Sequence, residues 1–314
     1  MDAVAGTTPQ ARSRGWRSRL DNPRFLGAAL IAPAGLFVLA LVGGPLVFSI
    51  YLSFTDAVPG TRGGRLVGWA NYRAALSDPI FRESLWNTFV ITAVSLVLIL
   101  VLGKLLANYL AKDFRGKWLL RALILLPWAA PISLGALGWR WILDSLYSVV
   151  NWTLRALHLL PAGGSLNWLG DTELAKLSII AVQTWRILPF ATVIILAGLS
   201  SIPPDIDDAS KVDGAQGVRK LVHVTLPMIL PVMTIALLFG MVFIATDMAI
   251  VYVLTRGGPF NSTHVLASWA YQTGILSNSL GQGAAIALFL FPMLVVASVL
   301  MLTFSRRTDP GAIA

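Results

Sequence analysis

The sequence has no cysteine, so it can build neither a disulfide framework nor a thiolate metal site. Histidine is nearly absent as well. His158, His223 and His264 are scattered through connecting segments and form no metal-ligand set. Charge is scarce: 12% of residues are Asp, Glu, Lys or Arg, against about 25% in a soluble globular protein. No GxxxxGK[ST] stretch is present to cradle ATP phosphates, and no HExxH helix to hold zinc. No Ser, His and Asp set suggests a hydrolase. Asp247 is the one acid inside an apolar run, where an intramembrane aspartyl enzyme needs two. The chain therefore reads as non-catalytic, with no cofactor or metal of its own.

What is present is long apolar sequence. Of 314 residues, 56% are hydrophobic, and mean hydropathy is +0.73. A membrane span needs about 20 mostly apolar residues. Six candidates meet that length, at about 26–54, 85–111, 118–143, 174–201, 226–254 and 283–304. The expected organisation is a basic tail (1–24), a six-span all-α membrane domain (25–308) and a short C-terminal tail (309–314). The apolar run from Phe25 to Thr55 is 31 residues long, too long for a signal-peptide core of about 7–15. It reads as a first span that stays in the bilayer.

Net charge is +9. In a multispan chain this excess points to the retention of basic loops on the cytoplasmic side rather than to nucleic acid. With the N-terminus inside, fourteen Lys and Arg fall in inner segments and seven in outer ones. The expected orientation is N-in, C-in, in a bacterial cytoplasmic membrane. Trp69, Trp86, Trp118, Trp128, Trp139, Trp141 and Trp168 lie near span ends, as interfacial aromatic anchors do.

One inner segment is unlike the rest. "DDASKVDGAQGVRKLVHVTLP" (Asp207 to Pro227) is polar and charged between two apolar runs. Pro203 and Pro204 suit a helix start, and Asp205, Asp207 and Asp208 favour its N-terminal dipole. The helix is expected to run to about Asp213, with Gly214 free to turn left-handed. A second segment, Ala215 to Val224, carries Arg219 and Lys220, and Thr225-Leu226-Pro227 is expected to open the next span. From the residues alone this is either a solvated loop or a docking element for a soluble partner.

Two further triplets carry chemistry. Gln183, Arg186 and Phe190 share one face of the fourth candidate span, and Gly240, Phe243 and Asp247 share one face of the fifth. Ile187 and Ile244 neighbour them. Charge inside a membrane is costly unless paired or wet, so Arg186 and Asp247 either line a polar path or pair with each other. For Phe190 and Phe243, stacking on a solute and plain packing stay open.

The segment Asp208-Ala209-Ser210, Asp213-Gly214-Ala215, Leu226-Pro227 resembles the EAA loop of permease subunits in binding-protein-dependent ABC importers. Aspartate stands at 208 where that family has glutamate, and serine at 210 where it has alanine. "YVLTRGGPFNST" (Tyr252 to Thr263), with Gly257-Gly258-Pro259, is similar to the signature of the carbohydrate-uptake branch. "VGWANY" (67–72), "DPIF" (78–81) and Asn87-Thr88 are similar to the first outer loop of maltose- and glycerol-phosphate-type subunits. "QTWRILPF" (183–190) and "GLSSIPPDIDDA" (198–209) continue the likeness, which covers about residues 25–305. It implies the type I importer permease fold. It also implies a coupling loop at 203–225, with Asp207, Asp208, Ala209, Ser210, Asp213, Gly214, Ala215, Arg219, Leu226 and Pro227 facing a dimeric cytoplasmic ATPase. Gln183, Arg186, Ile187, Phe190, Gly240, Phe243, Ile244 and Asp247 would line the path. The implied partners are a second homologous permease, that ATPase with its ATP and Mg, and an extracytoplasmic solute-binding protein or lipoprotein. The implied cargo is a sugar or sugar-like solute, with a glycerophosphodiester as the alternative that Arg186 would favour. A secondary transporter working without ATP would need inverted repeats or several intramembrane acids, and neither is seen.

Overall fold

The computed structural model describes residues 23–307, Arg62 excepted. The basic tail up to residue 22, the C-terminal tail and the side chain of Asp207 lie outside the described residues. The described residues form helices and turns, with a single isolated bridge between Thr55 and Leu66. Five helices are long and apolar enough to cross a membrane: Phe25–Ser53, Pro79–Ala111, Thr172–Ser200, Gly217–Ala245 and Leu280–Thr303. The bent pair Lys117–Ala129 and Ile132–Ile142 makes a sixth if its two halves cross as one span.

The chain divides into two units, Met1–Tyr51 and Leu52–Ala314. The first unit holds most of the first span. Its helix widens into a π-turn over Leu39–Gly43, where the Gly44 N–H reaches back to the Leu39 carbonyl. Proline clashes with the carbonyl four residues before it. For Pro45 that residue is Leu41, the middle of the π-turn, so the wider turn carries the carbonyl out of the way.

The second unit is built on the helices Pro79–Ala111, Thr172–Ser200 and Gly217–Ala245, each packed on the other two. Their starts are coded locally. Asp78 caps the first of them by accepting from the Ile80 N–H at 2.9 Å, with Pro79 at the opening position. Asp171 caps the second by accepting from the Glu173 and Leu174 N–H groups, both at 3.0 Å. Small residues let the helices close in, as is common between membrane helices. A Cβ at Gly198 would stand 3.1 Å from Val232, and one at Gly240 would stand 3.0 Å from Leu96. Ile99, Ile179, Ile187 and Ile244 fill the space between.

Two expectations about spans need correction. The third was expected as one helix over 118–143. It bends by 95° between Ala129 and Ile132. Pro131 has no N–H to donate, and it pushes Ala130 into an extended conformation (φ −68°, ψ 141°) that a helix cannot continue through. The fifth was expected over 226–254. It starts nine residues earlier, at Gly217, and ends at Ala245. Leu226-Pro227 therefore lies inside it. The π-turn Leu221–Thr225 sits two residues ahead of Pro227 and centres on His223, the carbonyl the ring would strike. This is the arrangement at Pro45 again. The far end stops because Asp247 turns its carboxylate back on the chain: Oδ1 accepts from the Ile250 N–H at 3.0 Å and starts the short helix Ala249–Leu254.

Candidate functional site

The fourth and fifth spans carry the charged and aromatic residues that the sequence placed on two helix faces, and the structure brings the two sets together. Arg186 Nη1 donates to Asp247 Oδ2 at 2.6 Å, with the Arg186 side chain 19% exposed and that of Asp247 4%. The remaining guanidinium donors have no partner among the described residues. Asp247 has both oxygens engaged, one by Arg186 and one by the Ile250 N–H.

One turn further along, Phe190 and Phe243 meet edge to face, with centroids 5.9 Å apart. Phe239 meets Phe190 in the same manner and stacks on Phe243. Trp128 completes the cluster. Its ring stacks on Phe190 at 4.8 Å and leans on Phe243 at 5.3 Å. The sequence reading took Trp128 as an interfacial anchor. Its ring packs on Phe190 and Phe243 instead. Trp128, Phe190 and Phe243 are all partly exposed.

The other residues of the two faces are placed differently. Gln183, Ile187, Gly240 and Ile244 are buried in the helix packing of the chain itself. The Gln183 carboxamide oxygen has no hydrogen-bond partner among the described residues. An orphaned buried acceptor is unusual, since most buried polar groups are paired.

The polar segment after the fourth span forms a helix over Pro204–Val212, as its sequence predicts. Gly214 turns left-handed at φ +70°, and the Ala215 N–H closes on the Ser210 carbonyl at 2.9 Å. Ser210 is buried, while Asp208, Ala209, Asp213, Gly214 and Arg219 are exposed. Asp208 pairs with Lys211 at 2.8 Å on the exposed surface. Leu226 and Pro227 sit on the fifth helix beyond the π-turn. A cleft of about 610 Å³ opens at the root of this segment, lined by Lys104, Asn108, Leu199, Lys220 and Leu221 among others.

At the other end of the fourth span the two outer sequence signatures meet. Asn87 Nδ2 donates to the carbonyls of Ser262 (2.7 Å) and His264 (3.0 Å), and Thr88 Oγ1 accepts from the Leu266 N–H at 2.8 Å. Gly257 turns at φ +85° with its Cα against the His264 ring, where any Cβ would collide. A cis Gly258–Pro259 bond follows. Thr263 Oγ1 donates to the Gly258 carbonyl at 2.6 Å. Burial lowers the His264 imidazole pKa from 6.5 to about 4, so the ring is neutral.

A bundle of crossing helices with an ion pair and an aromatic cluster at its joint, and a polar helix hung between two spans, is the build of a multi-pass transport subunit. Residues 99–310 match the family described as binding-protein-dependent transport system inner membrane component, and the chain belongs to that family. It is 32% identical over 300 residues to the sulfoquinovosyl glycerol transport system permease protein of Agrobacterium fabrum, covering 94% of this chain and 95% of that one. It is 31% identical over 281 residues to the trehalose/maltose transport system permease protein of Thermococcus litoralis, covering 90% and 94%. Among solved structures, a bacterial ABC transporter involved in import of the acidic polysaccharide alginate superposes with a TM-score of 0.74 at 20% identity. That match covers 90% of this chain and 96% of the other. The fold is therefore that of an ABC importer permease, and the protein is a multi-pass inner-membrane transport subunit.

Proposed function

We propose that this chain forms half of the translocation path of a sugar importer. The observation that carries the reading is the juxtaposition of Trp128, Phe190 and Phe243 with the Arg186–Asp247 pair at the joint of the fourth and fifth spans. Aromatic rings offer flat apolar faces to the C–H side of a sugar, and the spare guanidinium donors suit its hydroxyls or an acidic substituent. The names of the relatives, which transport sulfoquinovosyl glycerol and trehalose or maltose, support a sugar or sugar-like cargo. In this reading Gln183 and Gly240 reach the path when the helices separate, and the orphaned Gln183 oxygen finds its partner there.

The other assignments follow the same reading. The chain runs N-in and C-in, and the segment 203–225 lies in the cytoplasm. The exposed helix Pro204–Val212 fits a cleft on an ATPase dimer, which binds and hydrolyses ATP with Mg. A second, homologous permease supplies the other half of the path, and a solute-binding protein delivers the cargo from outside. The charge asymmetry of the loops supports the orientation. The exposure of Asp208 and Arg219 on the polar segment supports the docking.

The test is purification of the tagged chain from its own membrane. The expected result is co-purification of a second permease and a P-loop ATPase whose hydrolysis rises with a sugar-loaded binding protein. Recovery of the chain as a self-sufficient transporter, with uptake independent of ATP, would overturn the proposal.

A further inference from the structure

The connection between the third and fourth spans is amphipathic in the wrong sense for water. Its helix Val149–Ala156 places Val149, Trp152, Thr153 and Ala156, spaced i, i+3, i+4 and i+7, on the exposed face. Leu146 (83% exposed), Tyr147 (77%), Leu159 (68%) and Trp152 (65%) stand furthest out, joined by Leu157. Apart from Thr153, whose hydroxyl is taken up by the Val149 carbonyl, the polar groups of the helix point inward. Asn151 is buried and donates to the Leu166 carbonyl at 2.9 Å, while its own oxygen accepts from the Leu166 N–H (3.2 Å) and from Trp168 Nε1 (2.9 Å). Ser148 is buried as the cap, accepting from the Asn151 N–H at 3.1 Å. Arg155 Nη1 donates to the Gly164 carbonyl at 2.9 Å. These bonds hold the helix against 164–168 in one orientation, with its apolar side out.

We infer that this helix lies in the plane of the bilayer interface, its apolar side sunk among the lipids, at the end of the fourth span opposite the polar helix Pro204–Val212. Three observations choose lipid over another occupant. The segment follows the apolar bent pair that ends at Ile142 and leads into the membrane-length helix that starts at Thr172, so apolar, membrane-type sequence flanks it on both sides. The outermost side chains include Trp152 and Tyr147, and exposed Trp141 ends the preceding helix. Trp and Tyr are the residue types that collect at the headgroup level. From Leu143 to Asp171 the formal charges are only Asp144, Arg155 and Asp171, so the segment has little to keep it in water. Apolar residues on one face and a short flanking tether describe an interfacial helix rather than a spanning one.

The absence of cysteine makes the test direct. Leu146→Cys and Trp152→Cys would each carry a nitroxide in the assembled transporter, reconstituted in phosphatidylethanolamine–phosphatidylglycerol vesicles. Thr61→Cys in an exposed polar turn serves as the aqueous reference. The expected result is oxygen collision several-fold above that of a water-soluble nickel chelate at 146 and 152, unchanged by the solute-binding protein. Nickel access equal to that at 61 would overturn the inference. So would protection from both reagents, which marks a protein interface, or protection that appears only with the binding protein. A second variant avoids labelling: Trp152→Phe should lose part of the tryptophan fluorescence quenched by lipids brominated near the headgroup. Unchanged quenching would also overturn the inference.

Discussion

Arg186 and Asp247 stand 61 residues apart in sequence and 2.6 Å apart in space. The contact joins the middle of the fourth span to the point where the fifth one breaks. Asp247 holds both the arginine and the first turn of the next helix, so the two ends of the joint share one carboxylate.

Removing one partner should therefore cost more than removing both charges. Arg186→Ala leaves a buried carboxylate unpaired and is expected to cost about 3–5 kcal/mol. The double variant Arg186→Met, Asp247→Asn keeps an oxygen to cap Ile250 and carries no stranded charge. Thermal unfolding of the purified complex should show the single variant well below the double one. Uptake should be lost in both if the pair also meets the solute. Equal stability for the two variants would show that the pair is not a structural link.

The aromatic cluster makes a separable prediction. Aromatic pairs are worth about 0.5–1.5 kcal/mol beyond area burial. Trp128→Ala is expected to lower transport efficiency about tenfold while leaving assembly intact, because the ring is partly exposed already. Trp128→Phe should recover most of it. Uptake kinetics over a range of sugar concentrations check this. An unchanged KM and rate in Trp128→Ala would reduce the cluster to packing.

Much of this was legible from residue order, and the failures over spans share a cause. The helix Pro204–Val212 and the left-handed Gly214 followed from Pro204 and Gly214 themselves. The apolar spans followed from length. The bend at Pro131 and the early start at Gly217 did not, because proline's effect depends on whether the backbone around it can widen or must break. At Pro227 a π-turn absorbs the missing donor, and at Pro131 the chain turns aside. Trp128 was misplaced because its partners, Phe190 and Phe243, lie on other spans. The link from Asn87 and Thr88 to the 257–266 loop spans up to 178 residues of sequence. No local pattern announces such a contact, although each half carried a family likeness.

Asp208 gives a test of the coupling role. It is exposed and, among the described residues, bound only to Lys211 on its own helix, and surface pairs of that kind contribute at most about 1 kcal/mol. Asp208→Lys should leave insertion and stability unchanged but separate ATP hydrolysis from uptake in reconstituted vesicles. Normal substrate-stimulated hydrolysis together with normal uptake in that variant would remove Asp208 from the docking surface.

His264 predicts a pH dependence with a definite sign. Burial lowers its pKa in the folded loop to about 4, below the 6.5 it has when unfolded. As pH falls through 6.5 the unfolded loop takes up the proton first, so stability is lost progressively between about pH 6.5 and pH 4. The full loss is up to about 3 kcal/mol. His264→Gln should flatten that part of the stability–pH curve. Hydrogen exchange of the Leu266 amide, which donates to Thr88, reports the opening locally.

The unbroken helix from Gly217 to Ala245 makes the fifth span a lever. Its 29 residues measure about 44 Å at 1.5 Å per residue. One arm begins where the polar segment projects, and the other stops two residues short of Asp247. A push of about 3 Å at the first end, pivoting near the middle of such a rod, swings the opposite end by about the same distance. That is enough to part a contact of 2.6 Å. On the proposed reading, in which an ATPase pushes the polar segment, the Arg186 grip on Asp247 is the catch at the far end of the lever, released or reset by motion applied about forty ångströms away.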